Sequence, residues 1–361
     1  MLPLERSLKK TIDTVNTHQA EQKTPSQSSA KERFARALTL IPELRDVEHL
    51  ISSTFSSDVT LMREIPQYLL GLGGKRIRPA LTLLASKALG ISPINANVLN
   101  VSAGIELIHM ATLLHDDIID DSPIRRHQPS PYAKFGTPAT LLSGDFLLTR
   151  AFGLCAKLDA TIITATEQAC IELVEGEALE TLLHQEAHSC ATSLTIANRK
   201  TAALFRLAAF CAAHIAHQSP QVCERFAAFG QALGVAFQII DDVLDVISDE
   251  NTLGKRPGLD ITERKPSLVN VLWLESGDTN AKRLLTPPGD PHDEREFAER
   301  SLLFLRSSPI IAEAKQMAID YAESARDELS EGLALSTASH AQFECADSLH
   351  AVIDFALERL Q

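Results

Sequence analysis

One tryptophan and three tyrosines are all that 361 residues contain of those side chains, while Ala and Leu are abundant, a bias that leans toward helix. No cysteine stands in a Cys-x-x-Cys pair: Cys155, Cys170, Cys190, Cys211, Cys223 and Cys345 lie apart, several in Ala-rich stretches. They read as reduced core residues rather than a disulfide or zinc framework. No uninterrupted run approaches the roughly 18 apolar residues of a membrane span, and the first thirty residues lack the apolar centre of a secretion signal. Positive charge is also short, since 34 Lys and Arg against 47 Asp and Glu leave −13. That balance argues against a general nucleic-acid binder, although a local basic cluster can still hold a small anion.

What remains is 45% hydrophobic and 22% charged, ordinary for a globular protein. An all-α chain is expected. Residues 1–36, with the run from Gln19 to Ser29, are polar and of low complexity and read as disordered, leaving 37–361 as one domain. The start reads as cytoplasmic, with a mitochondrial leader as the alternative: Arg6, Lys9 and Lys10 favour a leader, while Glu5, Asp13 and Glu21 count against it.

Apolar residues recur at three- and four-residue intervals from Asp46 to Leu70, with a break near Ser56-Ser57-Asp58 and Pro66 near a further helix start. Gly71-Leu72-Gly73-Gly74 then marks a turn, and Pro79 suits the first turn of the next helix. Lys75, Arg76 and Arg78 thus gather at a helix entrance, where backbone N–H groups already favour anions. The glycine spacing is not that of a Walker loop, and no Ser or Thr follows Lys75. Alone, such a turn is as well read as a solvated basic loop.

Asn97 to Ile119 is too apolar for an exposed helix, yet it runs into Asp116-Asp117-Ile118-Ile119-Asp120-Asp121. Val222 to Val246 repeats the pattern and ends in Asp241-Asp242-Val243-Leu244-Asp245. Two carboxylates at about 4 Å repel by roughly 4 kcal/mol at an effective dielectric near 20. A hard divalent cation relieves that repulsion. Arg125 and Arg126 follow the first motif and read either as surface partners of the acids or as ligand groups. His184 and His188 are four apart, but the metalloprotease order is absent, and a polar helix end is the simpler reading.

Taken together, Gly-Gly-Lys75-Arg76-Ile-Arg78-Pro, the two Asp-Asp-x-x-Asp motifs, Arg125-Arg126, Lys200-Thr201, Phe237-Gln238, Lys255 and Lys265 resemble the trans-polyprenyl diphosphate synthases of the polyprenyl synthetase family. The resemblance runs from about residue 40 to the end. It implies an isoprenoid-synthase helical bundle around a deep cavity, usually a homodimer, in which Asp116, Asp117, Asp120, Asp241, Asp242 and Asp245 bind three magnesium ions on an allylic diphosphate. Arg125, Lys200, Thr201, Gln238, Lys255 and Lys265 would assist, and Lys75, Arg78, His109 and Arg126 would bind isopentenyl diphosphate. The implied reaction is ionisation of the allylic substrate, attack by the isopentenyl double bond and loss of a proton, repeated head-to-tail. Arg264 stands where the family usually has glycine before its second lysine, and Asp121 is an additional acid beside the first motif.

In this family the growing chain runs beside the first acidic helix, where short-chain members carry aromatic side chains. Here Ala111 and Thr112 are small and lie roughly 6 to 8 Å below Asp116 at about 1.5 Å per residue. Ile108, another turn down, is the first sizeable candidate for a floor. An open tunnel implies a long product, on the order of six to ten isoprene units or about C30–C50. The nearest alternative is a geranylgeranyl diphosphate synthase. Less favoured are a terpene cyclase, which usually lacks the second Asp-Asp-x-x-Asp and the isopentenyl site, and a non-catalytic subunit of a heteromeric synthase.

Overall fold

A computed structural model describes residues 29–182, 189–249, 256–287, 289–337 and 343–360. The described residues are almost entirely helical; their strand content is a two-residue hairpin pairing Ile124–Arg125 with Gln128–Pro129. His184 and His188 lie outside them, as does Lys255.

The centre of the bundle is built from two long helices, Ala96–Ile119 and Pro220–Ile247. Each is long and apolar enough by length and composition to cross a membrane, but 67% of its most apolar window is buried inside the protein. Both begin on a side-chain cap, Asn95 accepting from Val98 N and Ser219 from Val222 N, which satisfies N–H groups that the first turn leaves unpaired. Pro220–Ile247 packs most extensively on Pro309–Leu335 and on Ala203–Ile215; Ala96–Ile119 packs on Thr137–Cys155 and Ile77–Ala88. Phe205, Phe226, Phe229 and Trp273 are among the largest side chains fully buried between these layers, each contributing about 1.5–3 kcal/mol by leaving water.

The expected break near residue 57 is present between Leu44–Thr54 and Thr60–Gly71. Pro66, expected near a helix start, is instead buried inside the second of these helices, which begins six residues earlier. The expected boundary at residue 37 also moves: a helix covers Ala30–Thr39, opened by a Ser29–Glu32 capping box. Its stability is not local. Phe34 stacks on Phe355 at 4.4 Å, Arg33 pairs with Asp354 at 2.7 Å, and Glu358 accepts from Ala30 N and Lys31 N. This polar segment is thereby held against the Phe343–Glu358 helix. The six cysteines are free thiols, three of them buried.

Candidate active site

Asp116 and Asp117 lie in the last turn of the first central helix, with Asp120 as its C-cap, and Asp241, Asp242 and Asp245 lie in the closing turns of the second. Helix carboxyl ends carry partial negative charge, so acids there are unfavourable, and neither last turn contains a basic residue. Burial pushes Asp116 up to about 7, with Lys200 opposing and Glu177 and Asp120 adding. Asp242 is driven well above the usual carboxylate range by burial and by Asp260, against hydrogen bonds from Leu268 N (2.8 Å) and Gln238 Nε2 (2.8 Å).

Groups from other elements answer most of these acids. Arg125 holds Asp117 in a fork at 2.6 and 2.9 Å, Lys265 Nζ reaches Asp120 Oδ2 at 2.8 Å, and Arg359 reaches Asp241 Oδ1 at 2.6 Å. Asp260 N donates to Asp245 Oδ2 at 3.2 Å. Thr201 Oγ1 donates to Gln238 Oε1 at 2.5 Å, so a chain of bonds runs from Thr201 through Gln238 to Asp242. Asp121, in a left-handed conformation, accepts from Tyr132 Oη.

Lys200 and Thr201 sit in a π-helical turn, Ala197–Ala202, that interrupts an otherwise regular helix, a local feature common at functional sites. Its neighbour Ala160–Leu182 comes close because residue 176 is glycine: a Cβ there would stand 2.7 Å from Lys200 N. Lys200 Nζ then meets Glu177 at 2.5 Å and Glu180. Burial alone would lower its pKa; Glu180, Asp116 and Glu177 together raise it, so the lysine stays charged.

Lys75, Arg78, His109 and Arg126 have the opposite character. Desolvation by the surrounding protein, with Arg359 adding, lowers Lys75 to about 8 although its side chain keeps contact with solvent, and its ammonium sits 4.7 Å from the centroid of the Phe355 ring. Arg78 is lowered by burial and lies over Phe205 at 4.8 Å. Arg126 is lowered to about 10 by burial and by Arg76. His109, beside these arginines, is pushed well below its ordinary value by desolvation and by their charge. A bound anion would oppose each of these shifts by favouring the charged form.

Both sets meet in one cavity of about 1010 Å³, at the upper end for ligand sites. Lys75, Arg78, His109 and Arg126 line one part and Asp116, Lys200, Thr201, Gln238 and Asp241 another, with Leu69, Leu113, Leu173 and Phe237 as apolar wall. Asp117, Asp120, Asp242, Asp245, Arg125 and Lys265 are not on that wall; of these, Asp242 reaches it through its bond with Gln238. Thr112 is on the wall. Ala111 and Ile108 are not; both are buried in the packing of their helix. Ala111 leaves the wall because it lies about 140° around the helix from Asp116 at 3.6 residues per turn.

The donor set fits a hard divalent cation: it is all oxygen, and its acids are burdened by burial and mutual repulsion. Among the described residues, no three His, Cys, Asp or Glu side chains form a group that could hold an ion. Arg125, Lys265 and Arg359 pair with the acids and would yield as a metal entered. Arg359, Glu177 and Glu180 were not anticipated. The glutamates look like an ordinary i, i+3 solvated pair, and Arg359 belongs to no motif.

The family model described as polyprenyl synthetase matches residues 59–299. The chain belongs to the polyprenyl synthetase family. It is 33% identical over 288 residues to the octaprenyl diphosphate synthase of Haemophilus influenzae, covering 79% of this chain and 87% of that one. It is 36% identical over 307 residues to a short chain isoprenyl diphosphate synthase of Methanothermobacter thermautotrophicus, covering 83% and 90%. The crystal structure of a polyprenyl synthase from Caulobacter crescentus, complexed with calcium and isoprenyl diphosphate, superposes with a TM-score of 0.80 at 29% identity, covering 91% of this chain and 98% of that one. Such structural neighbours carry the all-α isoprenoid-synthase fold.

The polyprenyl synthetase departure at Arg264 has a local explanation. Arg264 adopts φ +58, the left-handed conformation that glycine would take without strain. Its side chain turns away from the acids to Glu294, the Ile261 carbonyl and the Phe297 ring. Lys265, the next residue, faces Asp120 and Glu263.

Proposed function

We propose that this polyprenyl synthetase is a long-chain trans-prenyltransferase, joining isopentenyl diphosphate head-to-tail to an allylic diphosphate with magnesium as its metal, three ions per site. The observation that carries this reading is the convergence of Asp116 and Asp241, one residue from each acidic motif, with Lys75, Arg78, His109 and Arg126 on one cavity with apolar walls. Magnesium, when bound by Asp116, Asp117, Asp120, Asp241, Asp242 and Asp245, would supply positive charge to the departing diphosphate. The chain's own cations, Lys200 and Lys265, are held charged beside it by Glu177, Glu180 and Glu263, where they stabilise that same leaving group. Lys75, Arg78, His109 and Arg126 would orient the isopentenyl double bond toward the allylic carbon, as a positioned second reactant requires. Leu113, Leu173 and Phe237 exclude water from the cation formed.

A long product is supported by Thr112, the small side chain one turn below Asp116 on the cavity wall, and by the octaprenyl-forming relative. The Methanothermobacter relative favours the shorter reading. Incubating the purified protein with magnesium, isopentenyl and farnesyl diphosphates, then sizing the products, separates the two. A ladder reaching about C30 or beyond is expected; a stop at C20 selects the shorter synthase, and no turnover of the protein alone points to a partner subunit. Asp116→Ala and Asp241→Ala are each expected to lower turnover at least ~100-fold with helical content unchanged; near-normal rates in either variant would remove the two-sided acidic site. We also propose that the enzyme is a homodimer and that it works in the cytoplasm.

A further inference from the structure

Arg76 lies between the two cations of the basic turn and lines the same cavity, yet its guanidinium is held by groups of the neighbouring helices. Nε donates to Glu48 Oε1 at 3.1 Å, Nη1 to Glu106 Oε1 at 2.9 Å, and Nη2 to the Leu70 carbonyl at 3.3 Å. Arg76, Glu48 and Glu106 are all buried, at 7%, 1% and 3% exposure, where losing any one partner strands a charge. The backbone is equally committed: Arg76 has φ +48 and directly precedes the helix Ile77–Ala88, a conformation that a non-glycine residue keeps only when its surroundings enforce it.

The anchor also reaches the second arginine of the site. A Cβ on Gly74, which has φ +150, would stand 3.0 Å from Arg76 Nη1 and 3.1 Å from Arg126 Nη1. Both guanidiniums thus pack against one glycine, on a turn tied to two other helices: Glu48 belongs to Leu44–Thr54 and Glu106 to Ala96–Ile119. With three elements locked together through one side chain, the direction of Lys75 and Arg78 on either side of it is set before any ligand enters.

We propose that Arg76, clamped between Glu48 and Glu106, is a positioning residue that makes Lys75, Arg78 and Arg126 converge on the isopentenyl diphosphate. The inference rests on the reading of those three residues as the isopentenyl site, so Lys75→Ala serves as its control. Arg76→Lys keeps the charge but loses the three-way fork. The Michaelis constant for isopentenyl diphosphate is expected to rise about tenfold or more, as misplacement of binding groups produces, with kcat and the constant for farnesyl diphosphate within about twofold. Glu48→Gln is the second variant, because it removes charge from a residue off the cavity wall. Coulomb attraction alone predicts tighter isopentenyl diphosphate binding when a nearby negative charge is removed, whereas loss of positioning predicts weaker binding.

If Arg76→Lys does not fold, Glu48→Gln decides by the sign of its effect. An unchanged or lower isopentenyl constant in the folded variants overturns the proposal, as does an equal rise for both substrates, which would mark general loosening. If Lys75→Ala also leaves the isopentenyl constant unchanged, the site reading itself falls.

Discussion

Lys75 is a lysine surrounded by other cations, and that arrangement has a titration consequence. Desolvation at the cavity, with Arg359 adding, brings its pKa down to about 8 in the ligand-free enzyme although the residue is exposed at the cavity mouth, so the charge that attracts a diphosphate is present below that pH and lost above it. Because kcat/KM reports groups of the free enzyme, kcat/KM for isopentenyl diphosphate is expected to fall as pH rises through about 8. Bound diphosphate raises the same pKa, so kcat should stay flat over that interval. Lys75→Arg should carry the descending limb upward; a limb that stays in place assigns it to another group. At this scale the sequence named candidate side chains but not how they pair. Asp117 with Arg125 was one of two open readings, and it became a fork only once the hairpin Ile124–Pro129 folded back. Arg359 carried no signal, since its partner Asp241 is more than a hundred residues away in sequence.

Helices impose their own geometry on specificity. At about 100° per residue, Thr112 lies roughly 40° from Asp116 around the first central helix and Ala111 roughly 140°, which is why the former is on the cavity wall and the latter in the packing. Thr112→Phe is therefore expected to shorten the longest product by several isoprene units. Ala111→Phe should overpack the helix contact and lower stability by about 1–3 kcal/mol. Product chromatography and thermal unfolding of the two variants check this, and a normal ladder from Thr112→Phe would place the growing chain elsewhere. Apolar periodicity made the long helices readable to within a few residues, because their burial is set by their own side chains. The Ala30–Thr39 helix was not readable: its sequence is polar, and its stability comes from Phe355, Asp354 and Glu358 at the other end of the chain. Nor was the π turn, against which Gly176 of a neighbouring helix packs closely.

For the whole molecule, the exposed apolar side chains are distributed unevenly. Leu141, Leu142 and Phe152 lie on Thr137–Cys155, and Ile163, Ile171 and Val174 on Ala160–Leu182. The second helix also supplies Leu173 and Glu177 to the cavity, so a copy of the chain docked on this face would stiffen the wall that holds Lys200. Each chain carries −13, so two copies repel at long range and association must come from apolar burial. Two consequences follow from that balance. Light scattering should give twice the 39.4 kDa of one chain, and the dimer should tighten as added salt shortens the Debye length from about 30 Å at 0.01 M toward 8 Å at 0.15 M. Leu142→Glu with Ile171→Glu, placed on neighbouring helices and off the cavity wall, should shift the enzyme toward monomer. A mass of one chain in the unaltered protein would overturn the dimer, and an undiminished dimer in the double variant would move the interface away from these two helices.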